Sequence, residues 1–339
     1  MGYDESERYS PSIGQLPVVV GYNGRPPARK ALVWAAAEAN RRDAPLLVVY
    51  AANYPGMTLG PGPGLLDPSP RALEAAEEVT LRGVIEALAA QPELRVAGAT
   101  KVTSPTQTLL QAAADAGLLV IGTRGHGRVL GPLLGSVAFA VAASASCPVV
   151  VVKTDASPRP TGPARGVVVG TDGSPGAAGS VRFAADHAAA TSSPLQILTC
   201  TGERAPAGIS PDRLRGAAQQ IADTARRVVH RTHPQLSVTT VVEHGPAERA
   251  LVEASAAAEL VAVGTRGRGA FGGMLLGSVS HAVIHGARCP VAVIGADQPS
   301  QDTETDVRDA AAHHPRTAPD IVEIWGHGSF PASDPPANW

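Results

Sequence analysis

Two glycine-rich stretches have the composition of loops that hold phosphate groups. Residues 122–136 read GTRGHGRVLGPLLGS, and residues 264–278 read GTRGRGAFGGMLLGS. Glycines let the backbone approach a phosphate closely, and the amide groups at the start of a following helix bind its oxygens. Arginines inside both stretches supply charged donors. We therefore expect each stretch to be an anion-binding loop that ends in a Gly-Ser helix start.

A second pair of short motifs lies upstream of the glycine loops. Residues 170–174 read GTDGS, and residues 21–25 read GYNGR. Each motif directly follows a run of three valines, which is typical of a buried strand. In open α/β sheets, ligands bind beyond the carboxyl ends of the strands. An acid such as Asp172 in that place is suited to a ribose hydroxyl or a base amino group.

Both pairs of motifs belong to an internal repeat of domain size. The glycine loops are offset by 142 residues, and the upstream motifs by 149. The difference of 7 predicts extra residues in the first copy, which we place in the Gly/Pro-rich stretch Tyr54–Pro70. Each copy alternates short Val/Ile/Leu runs with Ala-rich amphipathic segments, a pattern that indicates buried parallel strands separated by helices.

The pattern predicts two tandem, doubly wound, open parallel sheets of the α/β class, with five strands and four helices per copy. We expect an N-terminal tail over residues 1–15, a first domain over 16–155 and a linker over 156–165. The second domain is predicted over 166–296 and a C-terminal tail over 297–339.

Composition excludes several classes of protein. The 339 residues carry a net charge of −2 and only 4% aromatic side chains, so neither a nucleic acid nor an anionic membrane is an expected partner. The most apolar stretch, Val137–Val152, is shorter than the roughly 20 residues of a membrane helix. Three cysteines suit a reducing compartment, and the expected location is the cytoplasm.

Competing interpretations of single motifs are weaker. Residues 267–272 spell GxGxxG, but they follow the fourth strand of their copy instead of the first, which argues against a dinucleotide enzyme. The chain has no Walker A loop. His281 and His285 have a helical metal-binding spacing without further ligands, so an exposed helix face is favoured over a zinc site. Cys147 and Cys289 are predicted to be buried structural thiols.

The spacing G-2x-G-9x-G-S, together with the GxDGS loop and the Cys-Pro-Val strand, resembles the universal stress protein family. The resemblance covers both copies and is similar to the tandem arrangement of actinobacteria. It implies an adenine nucleotide alpha hydrolase-like fold and bound ATP, with Mg²⁺ as a possible companion. It also implies pairing through the last strands, either between the two pseudo-twofold-related copies or in a homodimer.

By this resemblance, the second copy binds the nucleotide with the residues of its two loops. These are Gly170, Asp172, Gly264, Thr265, Arg266, Gly267, Arg268, Gly269, Gly277, Ser278 and Val279. The corresponding residues of the first copy are Gly21, Asn23, Gly122, Thr123, Arg124, Gly125, His126, Gly127, Arg128, Gly135, Ser136 and Val137.

The first copy departs from the family pattern around the expected adenosine. Asn23 replaces the usual Asp, Arg25 replaces Ser, Ser104 replaces the glycine seen at Gly245, and Gly117 stands in place of Glu259. Its phosphate loop is intact. We therefore expect altered or weaker binding in the first copy.

The sequence favours a nucleotide-dependent regulatory module of the stress response over an enzyme, because no nucleophile–base pair or carboxylate pair stands at a catalytic spacing. Three alternatives remain: a cyclic AMP-binding protein, a weak ATPase or phosphotransfer enzyme, and a dimerisation scaffold with vestigial sites. In the tail, Ile321, Val322, Ile324 and Trp325 form an apolar cluster. It is either a docking latch or part of a disordered end.

Overall fold

The computed structural model describes the two predicted repeats apart from several loops and both ends of the chain. The described residues are 16–52, 70–123, 135–154, 166–202, 209–265, 267 and 276–295. The predicted tails and the predicted linker at residues 156–165 lie outside these ranges, so they stay predictions. Of the helices in the described ranges, none has both the length and the apolar character needed to cross a bilayer.

Valine, leucine and isoleucine runs form ten strands within the described residues, and most of their side chains are buried on both faces. The first five are β1 (Val18–Gly21), β2 (Leu46–Ala51), β3 (Val96–Lys101), β4 (Leu118–Thr123) and β5 (Val149–Lys153). The second five are β6 (Val167–Gly170), β7 (Leu195–Cys200), β8 (Val238–Glu243), β9 (Leu260–Gly264) and β10 (Val291–Ile294).

Helices connect these strands, and several begin at a proline or a capping serine. The helices of the first copy are α1 (Pro26–Arg41), α2 (Pro70–Ala90), α3 (Pro105–Ala113) and α4 (Ser136–Ser144). Those of the second are α5 (Pro175–Ala190), α6 (Pro211–Thr232), α7 (Ala247–Ala254) and α8 (Ser278–Gly286). Ser174 and Ser210 accept hydrogen bonds from the third residue beyond them, at the starts of α5 and α6.

The strands lie in the order β3-β2-β1-β4-β5-β10-β9-β6-β7-β8. Within each copy every pairing is parallel, which confirms the predicted doubly wound α/β fold. The two copies join where β5 and β10 pair antiparallel, with Val150 opposite Ala292. Pairing of the last strands thus joins the two five-stranded sheets into one ten-stranded sheet within a single chain.

Residue offsets between the copies locate the extra residues of the first one. Leu46 and Leu195 begin equivalent strands at an offset of 149, whereas Ala76 and Ala218 are equivalent buried positions of α2 and α6 at an offset of 142. The difference of 7 arises between β2 and α2, in the region predicted from the sequence. Residues 53–69 of this connection lie outside the described ranges, and Pro70 already begins α2.

The sheet is covered on both faces by apolar helix surfaces. One buried cluster joins α1, α2, α5 and α6 to the sheet, and a second joins α3, α4, α7 and α8 to the opposite face. Both clusters contain side chains from both copies, so the two copies share their cores.

An ionic cluster closes the contact between α1 and α5. Glu38 is 2% exposed and accepts hydrogen bonds from Arg41 and Arg42 of its own copy. His187 of α5 places Nδ1 3.2 Å from the same carboxylate and stacks on Trp34 with ring centroids 5.9 Å apart. A buried carboxylate of one copy is therefore held by an imidazole of the other.

A second contact between the copies involves the end of α8. Lys153, the last residue of β5, is buried and donates to the carbonyl oxygens of His285 and Ala287. A positive charge at a helix carboxyl terminus compensates the helix dipole. Gly295 stands at the equivalent place of the second copy, so this contact has no symmetrical counterpart at that position.

Candidate nucleotide-binding site

In each copy the strand order reverses direction at one place, the switch point, which lies between β1 and β4 in the first copy and between β6 and β9 in the second. Ligand crevices of doubly wound sheets form beyond the carboxyl ends of the strands at such points. Because β5 and β10 are antiparallel, the two reversals face opposite edges of the ten-stranded sheet. Both predicted pairs of loops begin at these strand ends.

In the second copy, the loop after β6 is a tight turn held by its own side chains. Oδ1 of Asp172 accepts a hydrogen bond from the amide of Ser174 at 2.9 Å. Oγ1 of Thr171 accepts from the amide of Gly173, which has a φ of +75°. A left-handed residue between Asp172 and Ser174 is accommodated by glycine without steric cost.

The glycine loop of this copy is closed at its base. The amide of Gly277 donates to the carbonyl oxygen of Thr265 at 2.8 Å, and the Ser280 hydroxyl donates to the same oxygen at 3.1 Å. The amide of Thr265 donates to Ile294 of β10. These bonds bring the start of α8 beside the end of β9.

The two loops meet at Asp172 and Gly267. A Cβ atom at position 267 would lie 2.6 Å from Oδ2 of Asp172, closer than carbon and oxygen atoms approach without displacement. The predicted acid and the predicted phosphate loop therefore lie in direct contact. A side chain at position 267 would therefore displace the Asp172 carboxylate or the loop.

The start of α8 is not capped by the side chain of its own N-cap residue. Gly277 is its N-cap and makes no side-chain capping bond, in contrast to Ser174 and Ser210 at the starts of α5 and α6. The first amides of a helix have no partner within the helix and carry a partial positive charge. Ser278 and Val279 are the first two residues of this helix.

A polar pair that was not among the sequence predictions lies at the same edge of the sheet. Nδ1 of His244, directly after β8, lies 3.1 Å from Oγ1 of Thr201, directly after β7. The first copy has Ala52 and Val102 at these places. The signal was available, because each of the two polar residues lies two positions beyond the end of a predicted apolar strand.

The first copy builds its turn with different side chains. Oδ1 of Asn23 accepts from the amide of Arg25 at 3.1 Å, which reproduces the Asp172 turn without its charge. Tyr22 occupies the place of Thr171, is buried, and donates its hydroxyl to Glu86. Burial and this hydrogen bond raise the pKa of Tyr22. Gly135 is the N-cap of α4 and, like Gly277, has no side-chain capping bond.

Some of the predicted glycines have a packing reason. A Cβ atom at Gly122 would lie 2.2 Å from the carbonyl oxygen of Pro27, at the start of α1. At Gly170 it would lie 2.8 Å from a methyl carbon of Leu251, and at Gly21 3.1 Å from one of Leu109. Packing against the backbone of α1 therefore explains glycine at position 122, whereas at positions 170 and 21 a larger residue would displace leucine methyl groups.

Eight predicted residues lie outside the described ranges: Arg124, Gly125, His126, Gly127, Arg128, Arg266, Arg268 and Gly269. Thr123, which is buried, accepts hydrogen bonds at its carbonyl oxygen from Thr154, and Ser136 and Val137 begin α4. Gly264 ends β9.

One sequence difference between the copies proves to be remote from this edge. Gly117 and Glu259 precede β4 and β9, at the amino ends of the strands. Glu259 accepts a hydrogen bond from Thr191 at 2.9 Å. The exchange therefore changes the support of the α5–β7 turn and does not bear on the edge where the loops meet.

Cys147 and Cys289 are buried, as predicted, and Cys200 is half-buried. Burial raises the pKa of the Cys147 thiol and of the Cys289 thiol to about 12. Burial, with the charges of Glu243 and Glu248, raises the pKa of Cys200 to about 11. High thiol pKa values disfavour the reactive thiolate.

His281 contacts an aromatic residue of the other copy, and His285 contacts His281. The two imidazoles are 4.6 Å apart, and the ring of Phe139 lies edge-on to His281 at 5.4 Å. Phe139 is the repeat equivalent of His281, so the contact marks the pseudo-twofold axis between α4 and α8. Among the described residues, no group of three metal-ligating side chains occurs.

Comparison with known proteins agrees with this architecture. The model of the universal stress protein family matches residues 16–153 and 164–295. Universal stress protein Rv2005c of Mycobacterium tuberculosis is 34% identical over 285 residues, which covers 81% of this chain and 96% of the relative. Universal stress protein Rv2623 of the same species is 32% identical and covers 82% and 96%.

A solved structure shows the same fold at lower identity. The crystal structure of a universal stress protein from Archaeoglobus fulgidus superimposes with a TM-score of 0.61 at 19% identity, over 83% of this chain and 98% of that one. The double match of the family model and the similarity to two mycobacterial relatives over most of the chain lead to one conclusion. The chain belongs to the universal stress protein family and contains two tandem domains of that family.

Proposed function

We propose that this protein binds an adenine nucleotide, specifically ATP, in its second domain and acts as a nucleotide-dependent regulatory module. The contact between Asp172 and Gly267 carries the proposal, because it joins an acid to a phosphate-type loop at the switch point of the sheet.

The phosphate groups are assigned to the start of α8. Its N-cap is a glycine without a side-chain bond, and the closure between Gly277 and Thr265 fixes its position. Unpaired amides and the helix dipole favour an anion there. Arg266 and Arg268 supply positive charge by their place in the sequence, and Mg²⁺ would accompany the triphosphate.

The nucleoside is assigned to the side of Asp172. Its carboxylate is oriented by the Ser174 amide, so an oxygen acceptor is held in a fixed position for a ribose hydroxyl. In the first domain, Asn23 maintains the turn but provides no charge. The second domain is therefore the expected principal site.

Helix α8 provides a route from the nucleotide to the first domain. It begins at the proposed phosphate site and ends at the carbonyl oxygens bound by Lys153 of β5. A ligand that binds only the folded state stabilises it by about 2.7 kcal/mol at 100 times its Kd. We propose that ATP stabilises α8 and, through it, the contact between the domains.

Equilibrium dialysis of nucleotide-stripped protein tests the ligand assignment. Radiolabelled ATP with Mg²⁺ and radiolabelled cyclic AMP are compared at equal concentrations. We expect ATP to bind and to be displaced only weakly by cyclic AMP. A preference for cyclic AMP would replace ATP in the proposal, and the absence of binding at about 1 mM of either ligand would refute nucleotide sensing.

The substitution Asn23→Asp is expected to strengthen ATP binding by the first domain about threefold to tenfold, because a charged acceptor makes the stronger hydrogen bond. The turn is retained, since an aspartate oxygen can accept the Arg25 amide as Asn23 does. The affinity is measured in a Gly267→Val background, which removes the signal of the second domain. Asn23→Ala is the control and should give no gain; equal affinities for Asn23→Asp and Asn23→Ala would contradict the role assigned to the acid.

A further inference from the structure

One helix of the first domain presents apolar side chains to solvent. Leu81 and Ile85 of α2 are 59% and 58% exposed, and Leu88 is 37% exposed. Residues spaced by four and three lie on one side of a helix, within an arc of about 60°. We call these three residues the α2 stripe. Single exposed apolar residues are common, but a contiguous row indicates an interaction surface.

The equivalent helix of the second domain has a polar surface. The buried positions Ala76, Thr80 and Ala87 of α2 correspond to Ala218, Ala222 and Val229 of α6 at an offset of 142. The same offset matches Leu81 with Asp223, Ile85 with Arg227 and Leu88 with His230. The fold therefore does not require an apolar surface at this place, and the α2 stripe is particular to the first domain.

The chain carries a matching apolar segment beyond the described residues. Ile321, Val322, Ile324 and Trp325 stand together within five residues of the tail. We propose that this segment, residues 321–325, docks on the α2 stripe of the same chain and covers it.

The topology brings the origin of the tail to the correct edge of the sheet. Because β10 is antiparallel to β5, Gly295 at its end lies at the edge where the strands of the first domain begin. Helix α2 runs back from the end of β2 towards the start of β3, so its second half, which carries the stripe, approaches the same edge.

The tether is long enough to reach the stripe. Residues 296–320 comprise 25 residues, which span up to about 80 Å when extended. Five strand intervals separate β10 from β3, a distance of roughly 24 Å across the sheet. An intramolecular segment within this reach has a high effective concentration at the stripe.

The test uses the full-length protein labelled with 5-fluorotryptophan. The protein has three tryptophans, Trp34, Trp325 and Trp339. The fluorine signal of Trp325 is assigned with Trp325→Phe. Ile85→Asp is expected to lower the docked-to-free ratio of Trp325 at least about tenfold, since it places a charge on an apolar contact. Arg227→Asp, the same new side chain at the equivalent position of α6, should leave the signal unchanged.

A reciprocal variant checks the docking from the other side. Ile324→Asp changes only the tail and should shift the Trp325 signal as Ile85→Asp does. A Trp325 signal that is identical in the wild type and in both variants would refute docking. A signal that changes across an about twentyfold range of protein concentration, with a dimer in sedimentation, would also refute it and assign the stripe to a second copy.

Discussion

Replacing Glu38 with alanine is expected to lower the free energy of unfolding by about 3 kcal/mol at pH 7. Removal of a buried carboxylate leaves its arginine partners without compensation, which is among the most destabilising single changes. Arg41, Arg42 and His187 all contact this carboxylate, and His187 belongs to the other domain. Urea denaturation measures the difference.

Asp223→Ala is the matched control for this change. Asp223 of α6 also pairs with an arginine three residues further on, Arg226, at 3.3 Å, but its side chain is 30% exposed and that of Arg226 is 46% exposed. Exposed pairs contribute at most about 1 kcal/mol. Similar losses in Glu38→Ala and Asp223→Ala would show that the buried cluster does not stabilise the domain pair.

The contribution of Glu38 is also expected to depend on pH. Burial by itself would raise the pKa of Glu38, but the hydrogen bond with His187 and the charges of Arg42 and Arg41 outweigh it and hold the pKa well below its usual range. A carboxyl with a lowered folded-state pKa stabilises the protein above the unfolded pKa of about 4.3 and loses this effect as the pH falls. The difference in stability between the wild type and Glu38→Gln should therefore begin to shrink near pH 4 and continue to shrink as the pH falls further. A difference that stays constant down to pH 2 would contradict this origin.

The substitution Gly267→Val is expected to weaken ATP binding to the second domain at least about 100-fold, which corresponds to roughly 2.7 kcal/mol. The new Cβ atom would meet Oδ2 of Asp172 at 2.6 Å, so the carboxylate or the loop must move. The atom that is displaced is the end of a side chain at the surface of the fold, and we expect the melting temperature to change little. Isothermal titration calorimetry measures the affinity.

Gly216→Val provides the same substitution on an open surface of α6, where a new Cβ atom has no neighbour within 4 Å. It should leave ATP affinity unchanged. Gly125→Val distinguishes the contributions of the two domains to ATP binding, because it changes only the loop of the first domain. If Gly267→Val bound ATP with the same affinity as Gly216→Val, the nucleotide would have to lie elsewhere.

The fold could be predicted from the sequence because its signals are local and repeated. Valine runs such as Val18–Val20 and Val167–Val169 mark the first strand of each copy, and the identical spacing of the glycine loops fixes the equivalent strands. The pairing of β5 with β10 was an implication of the family resemblance. No local pattern in either strand specifies an antiparallel partner in the other copy.

The candidate site was predictable only in part. Glycine loops and Asp172 were visible as motifs, but the packing of Gly122 against Pro27 depends on how a helix crosses a strand 95 residues away. Glu38 and His187 are 149 residues apart and meet only in the paired domains. The polarity difference between α2 and α6 emerged once buried positions had defined their alignment.

The central claim, that a nucleotide lies between the Asp172 loop and the start of α8, is tested most directly by amide-resolved NMR of the full chain titrated with ATP and Mg²⁺. The largest chemical-shift changes are predicted for the amides of Gly173, Gly277, Ser278 and Val279. Saturable shifts at these residues, absent in Gly267→Val, would agree with the account. Saturable binding that leaves these four amides unmoved would contradict it.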